Sequence, residues 1–305
     1  MSFSTDIKNE ASRVDSTKEE YIAELSGIIR NSGVMQKDLI INVENNVVAR
    51  RIFILLKDLY DITPVITVRK KYFNNGLSYI LSVKHRQNQI LEDLSITSHG
   101  DYLNIPKEYI YSDEDLVRAY LRGVFLVTGS INDPKTSKYH LEFLVDNDNY
   151  AEFISDLLNQ FDLNSKFIHR EKKSMVYIKE AEKISDFLRI IKAYNGVMYY
   201  EDIRIYRDHK NMTNRLNNCE QANIDKIFFT ANSQLKDIEK LKEYDLMDLI
   251  DEKLKVVIDY RIKYPELSLG ELSSVMNRDG VSITKSGINH RFRKIREIIS
   301  NIENK

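Results

Sequence analysis

The chain states one arrangement twice, and this repetition restricts its fold more than any other feature. The first copy opens with Glu24-Leu-Ser-Gly-Ile-Ile-Arg-Asn-Ser-Gly33 and the second with Tyr120-Leu-Arg-Gly-Val-Phe-Leu-Val-Thr-Gly129. Each reads as a short helix with a small residue three positions in, Gly27 or Gly123. Each ends at a glycine, Gly33 or Gly129, suited to a left-handed helix exit. Short strands follow, Leu39 to Val43 and His140 to Val145, rich in apolar and β-branched residues. Amphipathic helices come next, Val47 to Tyr60 and Tyr150 to Phe161, with apolar residues at helical spacing.

A hairpin then follows in each copy. Val65 to Tyr72 and Leu77 to Lys84 flank the turn Asn74-Asn75-Gly76; Ser165 to Arg170 and Met175 to Lys179 flank Glu171 to Ser174. Further helices, near Arg86 to Leu94 and Glu182 to Ile191, close the copies. The order helix, strand, helix, hairpin, helix thus recurs at a spacing of about one hundred residues. It predicts a pseudo-symmetric duplicated domain over residues 1–208, with repeats at about 15–100 and 111–205.

Beyond it the composition changes. Asn214 to Asn223 is polar and amide-rich, and Ile224 to Leu241 resumes a helical pattern. Residues 209–245 therefore read as a linker and helix, the amides fixing the linker against a domain. Cys219 reads as a small packed residue.

Residues 246–305 form an all-helical segment. Met247 to Lys263 is amphipathic and ends at Pro265. Ser268-Leu-Gly-Glu271 matches a capping box, and a turn through Asn277-Arg-Asp-Gly280 leads to a third helix from about Lys285 to Ile302. That helix carries Lys285, Ser286, Asn289, His290, Arg291, Arg293, Lys294 and Arg296 before its first acid, Glu297. A capped helix, a turn and a basic helix of this kind make a helix-turn-helix pattern. Asn bonds adenine and Arg bonds guanine in the major groove, while further basic residues reach phosphates.

Bulk composition frames this reading. The 305 residues carry a formal net charge of −1, so a basic surface has to be local. The polar N-terminus has no apolar stretch of the signal-peptide kind, and the uncharged run Gly123 to Asn132 is about half of the ~20 residues a bilayer crossing needs. The expected location is cytoplasmic and nucleoid-associated. A single cysteine excludes an intramolecular disulfide and a cysteine-built zinc site, and the six histidines show no metal-ligand spacing. No metal, cofactor, membrane or small-molecule substrate is expected. His140 beside Glu142 reads as a structural pair rather than acid–base machinery.

The repeated helices resemble the LAGLIDADG motif of homing endonucleases. In that family the two helices pack through small residues, and each ends in a carboxylate that holds a divalent metal. The corresponding positions here are Ser32 and Thr128, whose neutral hydroxyls cannot supply that charge. With Asp133-Pro134, Tyr139-His-Leu-Glu142, Asn214-Arg215, Asn218-Cys-Glu-Gln-Ala-Asn223 and Lys285-Ser-Gly-Ile-Asn-His-Arg291, the whole chain resembles the WhiA family.

The resemblance implies an α+β chain, with a tandem-duplicated LAGLIDADG homing-endonuclease-like domain followed by an all-α helix-turn-helix domain. It implies a non-enzymatic partner of double-stranded DNA, acting as transcriptional regulator or chromosome-associated factor in sporulation or cell division. In active relatives the sheet forms a basic saddle on DNA, which makes Arg69, Lys70, Lys71, Arg170, Lys172 and Lys173 auxiliary DNA-binding candidates. Glu142, Asp146, Asp148 and Glu152 weaken that role, and the sheet is equally suited to a protein partner. The alternatives are a protein-interaction factor of the division machinery with weak DNA binding, and an active homing-type endonuclease.

Overall fold

Capping side chains fix where the long helices begin. Thr17 accepts from the Glu20 amide while the Glu20 carboxylate accepts from the Thr17 amide, Asp113 accepts from the Leu116 amide, and Asn45 and Asn147 do the same for their helices. The computed structural model describes residues 2–70, 76–136 and 138–303, so Lys71 and the Asn74-Asn75 turn lie outside the described residues. The chain divides into two compact units, Met1–Arg207 and Asp208–Lys305.

The first unit runs α1 (Phe3–Ala11), α2 (Lys18–Ser32), β1 (Gly33–Met35), β2 (Leu39–Val43), α3 (Asn46–Tyr60), β3 (Val65–Lys70), β4 (Leu77–Val83) and α4 (Gln87–Asp93). A small ribbon, β5 (Thr97–Ser98) with β6 (Asp101–Tyr102), precedes the second copy. That copy is α5 (Glu114–Thr128), β7 (Gly129–Ile131), β8 (Leu141–Val145), α6 (Asp148–Asn159), β9 (Lys166–Arg170), β10 (Lys173–Ile178) and α7 (Ala181–Ile190). The two sheets share one topology, β1-β2-β4-β3 and β7-β8-β10-β9, with every pairing antiparallel. One apolar core serves both copies, with Leu81, Val83, Phe143 and Val176 facing Ile52, Leu55, Ile154 and Phe187.

Helices α2 and α5 cross where neither carries a side chain. A Cβ on Gly27 would lie 2.6 Å from the Tyr120 carbonyl oxygen, and one on Gly123 would collide with the Glu24 carbonyl. Beside this crossing the fully buried Glu24 carboxylate accepts from Arg51 Nε and Nη2, both at 2.8 Å. It also accepts from Arg122 Nε at 3.0 Å and Nη2 at 2.9 Å. Two further bonds run from the same guanidiniums, Arg51 Nη2 to the Val14 carbonyl and Arg122 Nη2 to Ser16 Oγ, while Arg122 Nη1 is buried without a partner among the described residues. Three helices, α2, α3 and α5, are tied at one carboxylate.

Three expectations change, and the N-terminal segment adds a helix. Gly33 and Gly129 are extended, not left-handed; each starts a strand, and a Cβ there would lie 2.7 Å from the carbonyl oxygen of Ile29 or Phe125. Close approach, not a positive φ, is what demands glycine. The polar N-terminus forms α1, which buries Ile7 and Ala11 in the core. The amide-rich segment Asn214 to Asn223 is the interior of a continuous helix, α8 (Tyr194–Glu243), which begins in the first unit and ends in the second. Its amides and Cys219 are exposed, not packed.

The second unit adds α9 (Glu252–Lys263), α10 (Leu269–Arg278) and α11 (Lys285–Glu303). A 3-10 turn, Met247–Leu249, stands where the first helix was expected to begin, because Asp251 caps the Leu254 amide. Ile238 and Leu241 of α8 share a core with Leu254, Val257, Ile258, Leu272, Met276, Ile288, Phe292, Ile295 and Ile299. The expected linker-and-helix region thus supplies a fourth core helix.

The two kinds of glycine predict opposite substitution effects. Gly123→Ala forces the α2–α5 crossing apart and costs about 1–3 kcal/mol. Gly270→Ala, in α10 with only Ser268 Oγ nearby at 3.8 Å, stabilises by up to about 1 kcal/mol. Chemical denaturation followed by circular dichroism measures both; a neutral Gly123→Ala contradicts the packing account.

Candidate nucleic-acid interface

The turn before α11 is fixed by a side chain that closes on the backbone. Asn277 Nδ2 donates to the Ile283 carbonyl at 2.7 Å, and the Ile283 amide donates back to Asn277 Oδ1 at 3.0 Å. Ser273 Oγ donates to the same carbonyl at 2.7 Å, and Gly280 takes the positive φ of +89° the turn requires. Ser268 and Glu271 form the reciprocal capping box at the start of α10. Tyr260 Oη donates to Asp279 Oδ2 at 3.0 Å, which holds the Asp279 carboxyl below its ordinary range. Thr284 Oγ1 then accepts from the Gly287 amide at 3.1 Å and starts α11.

The eight basic and polar candidates on α11 divide into two groups. Arg296 is turned back onto α8: its Nη2 donates to Asp237 Oδ2 at 2.9 Å and to Ser233 Oγ at 2.8 Å. Lys294 pairs with Asp251 at 3.6 Å, and Arg291 Nη1 donates to the Lys253 carbonyl at 3.2 Å. Ser286, Asn289, His290 and Arg293 are spaced i, i+3, i+4 and i+7, which places them on one face, away from Ile288, Phe292 and Ile295. All four are exposed, as is Lys285. Ser286 meets only Thr284, and Asn289, His290 and Arg293 have no hydrogen-bond or ion-pair partner among the described residues.

The sheet candidates sit at hairpin tips. Arg69 and Lys70 end β3, Arg170 ends β9, and Lys172 lies in the following turn. Lys173, which opens β10, pairs with Asp146 at 3.4 Å. Register alternation puts Val34, Ile40, Asn42, Ile80, Val65, Thr67 and Arg69 on the face of the first sheet opposite the core. Ser78 and Ser82 lie on the same face, which thus mixes apolar and polar side chains and carries one cation among the described residues. On the second sheet Lys166 and Arg170 share the outer face with Glu142, Ile168 and Tyr177. His140 Nε2 lies 3.1 Å from Glu142 Oε2, half-buried on that face.

At the ends of the repeated helices the two hydroxyls bond their own backbone. Ser32 Oγ donates to the Ile28 carbonyl at 2.7 Å and Thr128 Oγ1 to the Val124 carbonyl at 2.8 Å. Asp38 accepts from Ser82 Oγ, and Asp133 accepts from the Lys135 amide and Tyr199 Oη. Among the described residues no three His, Cys, Asp or Glu side chains cluster in a metal-binding arrangement. The buried charges of this unit escaped the sequence reading altogether: Glu24, Arg51 and Arg122 interact across 27 and 98 residues of chain.

Comparison with known proteins places all three parts. Residues 18–97 match the WhiA N-terminal LAGLIDADG-like domain, 117–210 the WhiA LAGLIDADG-like domain and 213–299 the WhiA C-terminal helix-turn-helix domain. A Staphylococcus haemolyticus protein named "Probable cell division protein WhiA" is 39% identical over 99% of this chain and 98% of its own. A Staphylococcus saprophyticus protein of the same name is 40% identical over 98% and 96%. The crystal structure of a full-length WhiA protein from Thermatoga maritima superposes with a TM-score of 0.59, at 25% identity over 99% of both chains. The chain belongs to the WhiA family, with tandem LAGLIDADG-like domains followed by a helix-turn-helix domain.

Proposed function

We propose that this chain is a DNA-binding protein without catalytic activity that serves cell division as a transcriptional regulator or chromosome-associated factor. One observation carries the DNA reading. The face of α11 formed by Ser286, Asn289, His290 and Arg293 is exposed, and its amide, imidazole and guanidinium groups have no partners among the described residues. Polar groups held at helical spacing on a capped, tightly packed helix suit base edges in the major groove of double-stranded DNA. Lys285 at the first turn suits a phosphate. Arg291, Lys294 and Arg296 serve instead to seat α11, although each keeps its charge near the interface. The cell-division role follows the names of the staphylococcal relatives. No helix among the described residues is long and apolar enough to cross a membrane, in keeping with action at the nucleoid.

Chromatin immunoprecipitation supplies bound sites, and anisotropy titrations on them test the assignment. Asn289→Ala lowers affinity for the preferred sequence by about 1–3 kcal/mol and leaves the salt dependence unchanged, because it removes no charge. Arg293→Ala weakens binding with folding stability preserved, whereas Arg296→Ala lowers stability by about 0.5–1 kcal/mol. Wild-type affinity in both Asn289→Ala and Arg293→Ala rejects the reading face.

Absence of catalysis rests on Ser32 and Thr128. A neutral hydroxyl that donates to its own helix offers a divalent ion no negative charge, which a hard cation between phosphates needs from its ligands. Supercoiled DNA incubated with Mg²⁺ and the protein stays uncut; cleavage that disappears in Ser32→Ala or Thr128→Ala overturns this.

The outer face of the first sheet favours a second role, as a protein-binding surface. Val34, Val65 and Thr67 are exposed there, and among the described residues of that face a duplex would meet Arg69 alone as a positive contact. Val65→Glu with Thr67→Glu leaves DNA affinity intact and impairs division in cells; normal division in that strain removes this reading.

A further inference from the structure

We propose that a recess at the amino end of α10 is a phosphate site, built by α8, α9, α10 and the first residue of α11. Its walls are Lys226 and Thr230 of α8, Arg261 of α9, Leu267, Ser268 and Leu269 at the helix start, and Lys285. The recess holds about 190 Å³, the space of about six waters at ~30 Å³ each, enough for a phosphate group. All of these residues belong to the second unit.

Arg261 shows that the recess is made for an anion. It is 1% exposed and has no carboxylate partner among the described residues. Nη1 donates to the carbonyls of Tyr264 and Leu267, at 3.3 and 2.7 Å, and the buried Nε has no partner among the described residues. A buried cation held by two neutral carbonyls is poorly compensated, and burial lowers its pKa accordingly. An anion in the recess supplies the missing charge.

The rest of the wall agrees in sign. Lys226 and Lys285 are exposed and unpaired among the described residues. The first turn of α10 presents its free amides and the positive end of the helix dipole. Two carboxylates stand near this end, Glu266 and Glu271; neither lines the recess, and Glu271 accepts from the Ser268 amide at 2.8 Å. Two sources can supply the phosphate: the backbone of the DNA whose bases α11 is proposed to read, or a free phosphate. The DNA source rests on the function proposed above; the chemistry of the recess does not.

Two measurements on the full chain test it. In thermal denaturation at fixed ionic strength, inorganic phosphate raises the midpoint of the wild type more than that of Lys226→Gln with Lys285→Gln. Phosphate also stabilises proteins by exclusion, so the difference between the two proteins is the readout. In salt titrations of DNA binding, Lys226→Gln flattens the log–log slope by about 0.9, the release expected for one phosphate contact. A slope change, with or without the thermal difference, supports the site with DNA as the source. The thermal difference alone supports it with free phosphate as the source. If neither appears the proposal is overturned, even where Arg293→Ala still weakens DNA binding. Should the wild type bind no duplex, the functional reading fails and the phosphate titration still decides the recess.

Discussion

The crossing of α2 and α5 at Gly27 and Gly123 is the constraint on which the duplicated domain depends. Glycine at both positions lets the backbones meet, and that approach brings the Glu24 carboxylate within reach of Arg122 on the other copy. Burying three charged side chains is expensive: each ion loses several kcal/mol of hydration, and attraction offsets this only when geometry and further hydrogen bonds are good. Here the carboxylate accepts four bonds, and Nη2 of each arginine also reaches Val14 or Ser16 in the segment before α2, which leaves Arg122 Nη1 unpartnered among the described residues. Arg51 also lies over the Tyr21 ring, 4.9 Å from its centroid. A shift of either helix along the other would break several of these contacts together, so the cluster fixes the register of the two copies.

The copies share a backbone plan while their side chains have taken different tasks. Ser26, next to Gly27, donates to the Leu94 carbonyl within its own copy; Arg122, at the equivalent place, reaches across to Glu24. Glu24 itself is matched by Tyr120, whose hydroxyl lies 2.7 Å from that of Tyr150 and whose ionisation is strongly suppressed by burial. Arg30 donates to the Ser95 and Leu103 carbonyls and is matched by the apolar Leu126. Pseudo-symmetry therefore governs the sheets and helices, and the polar contacts that lock the halves are asymmetric. Ser32 and Thr128 are the exception, since both close back on their own helices in the same way.

How much of this is legible in sequence depends on the distance over which the deciding interaction acts. The repeats, the hairpins and the Ser268–Glu271 box are set by neighbours a few residues apart and can be read directly. The Glu24 cluster cannot, because its partners meet only once the two copies have packed. The first helix is hidden for a related reason: Phe3 to Ala11 is mostly polar, and its two buried residues gain value only from a core built elsewhere. Asn214 to Asn223 reads as a linker because it lacks an apolar stripe; exposed helix needs none when it continues turns already formed at both ends. Gly33 and Gly129 mislead in another way, since a glycine demanded by crowding looks the same as one demanded by a positive φ.

The basic helix α11 shows why a count of charges is a poor guide to an interface. Eight residues there are of DNA-contacting type, and sequence alone takes all eight as contacts, the first turns for bases and the later cations for phosphates. Packing α8 and α9 against the helix separates them: Asp237, Asp251 and the Lys253 carbonyl engage Arg296, Lys294 and Arg291, and leave Arg293, Asn289 and His290 exposed and unpaired among the described residues, the first two beside Phe229 and Ser233 of α8. An arginine whose charge already faces an acid gains less from a phosphate than one that faces only water. With a net charge of −1 over the chain, the attraction has to arise locally, from cations that lack an internal acid. Arg293, Lys285 and Lys226 meet that condition in the second unit, which is why the interface is drawn through them and not through the whole basic run.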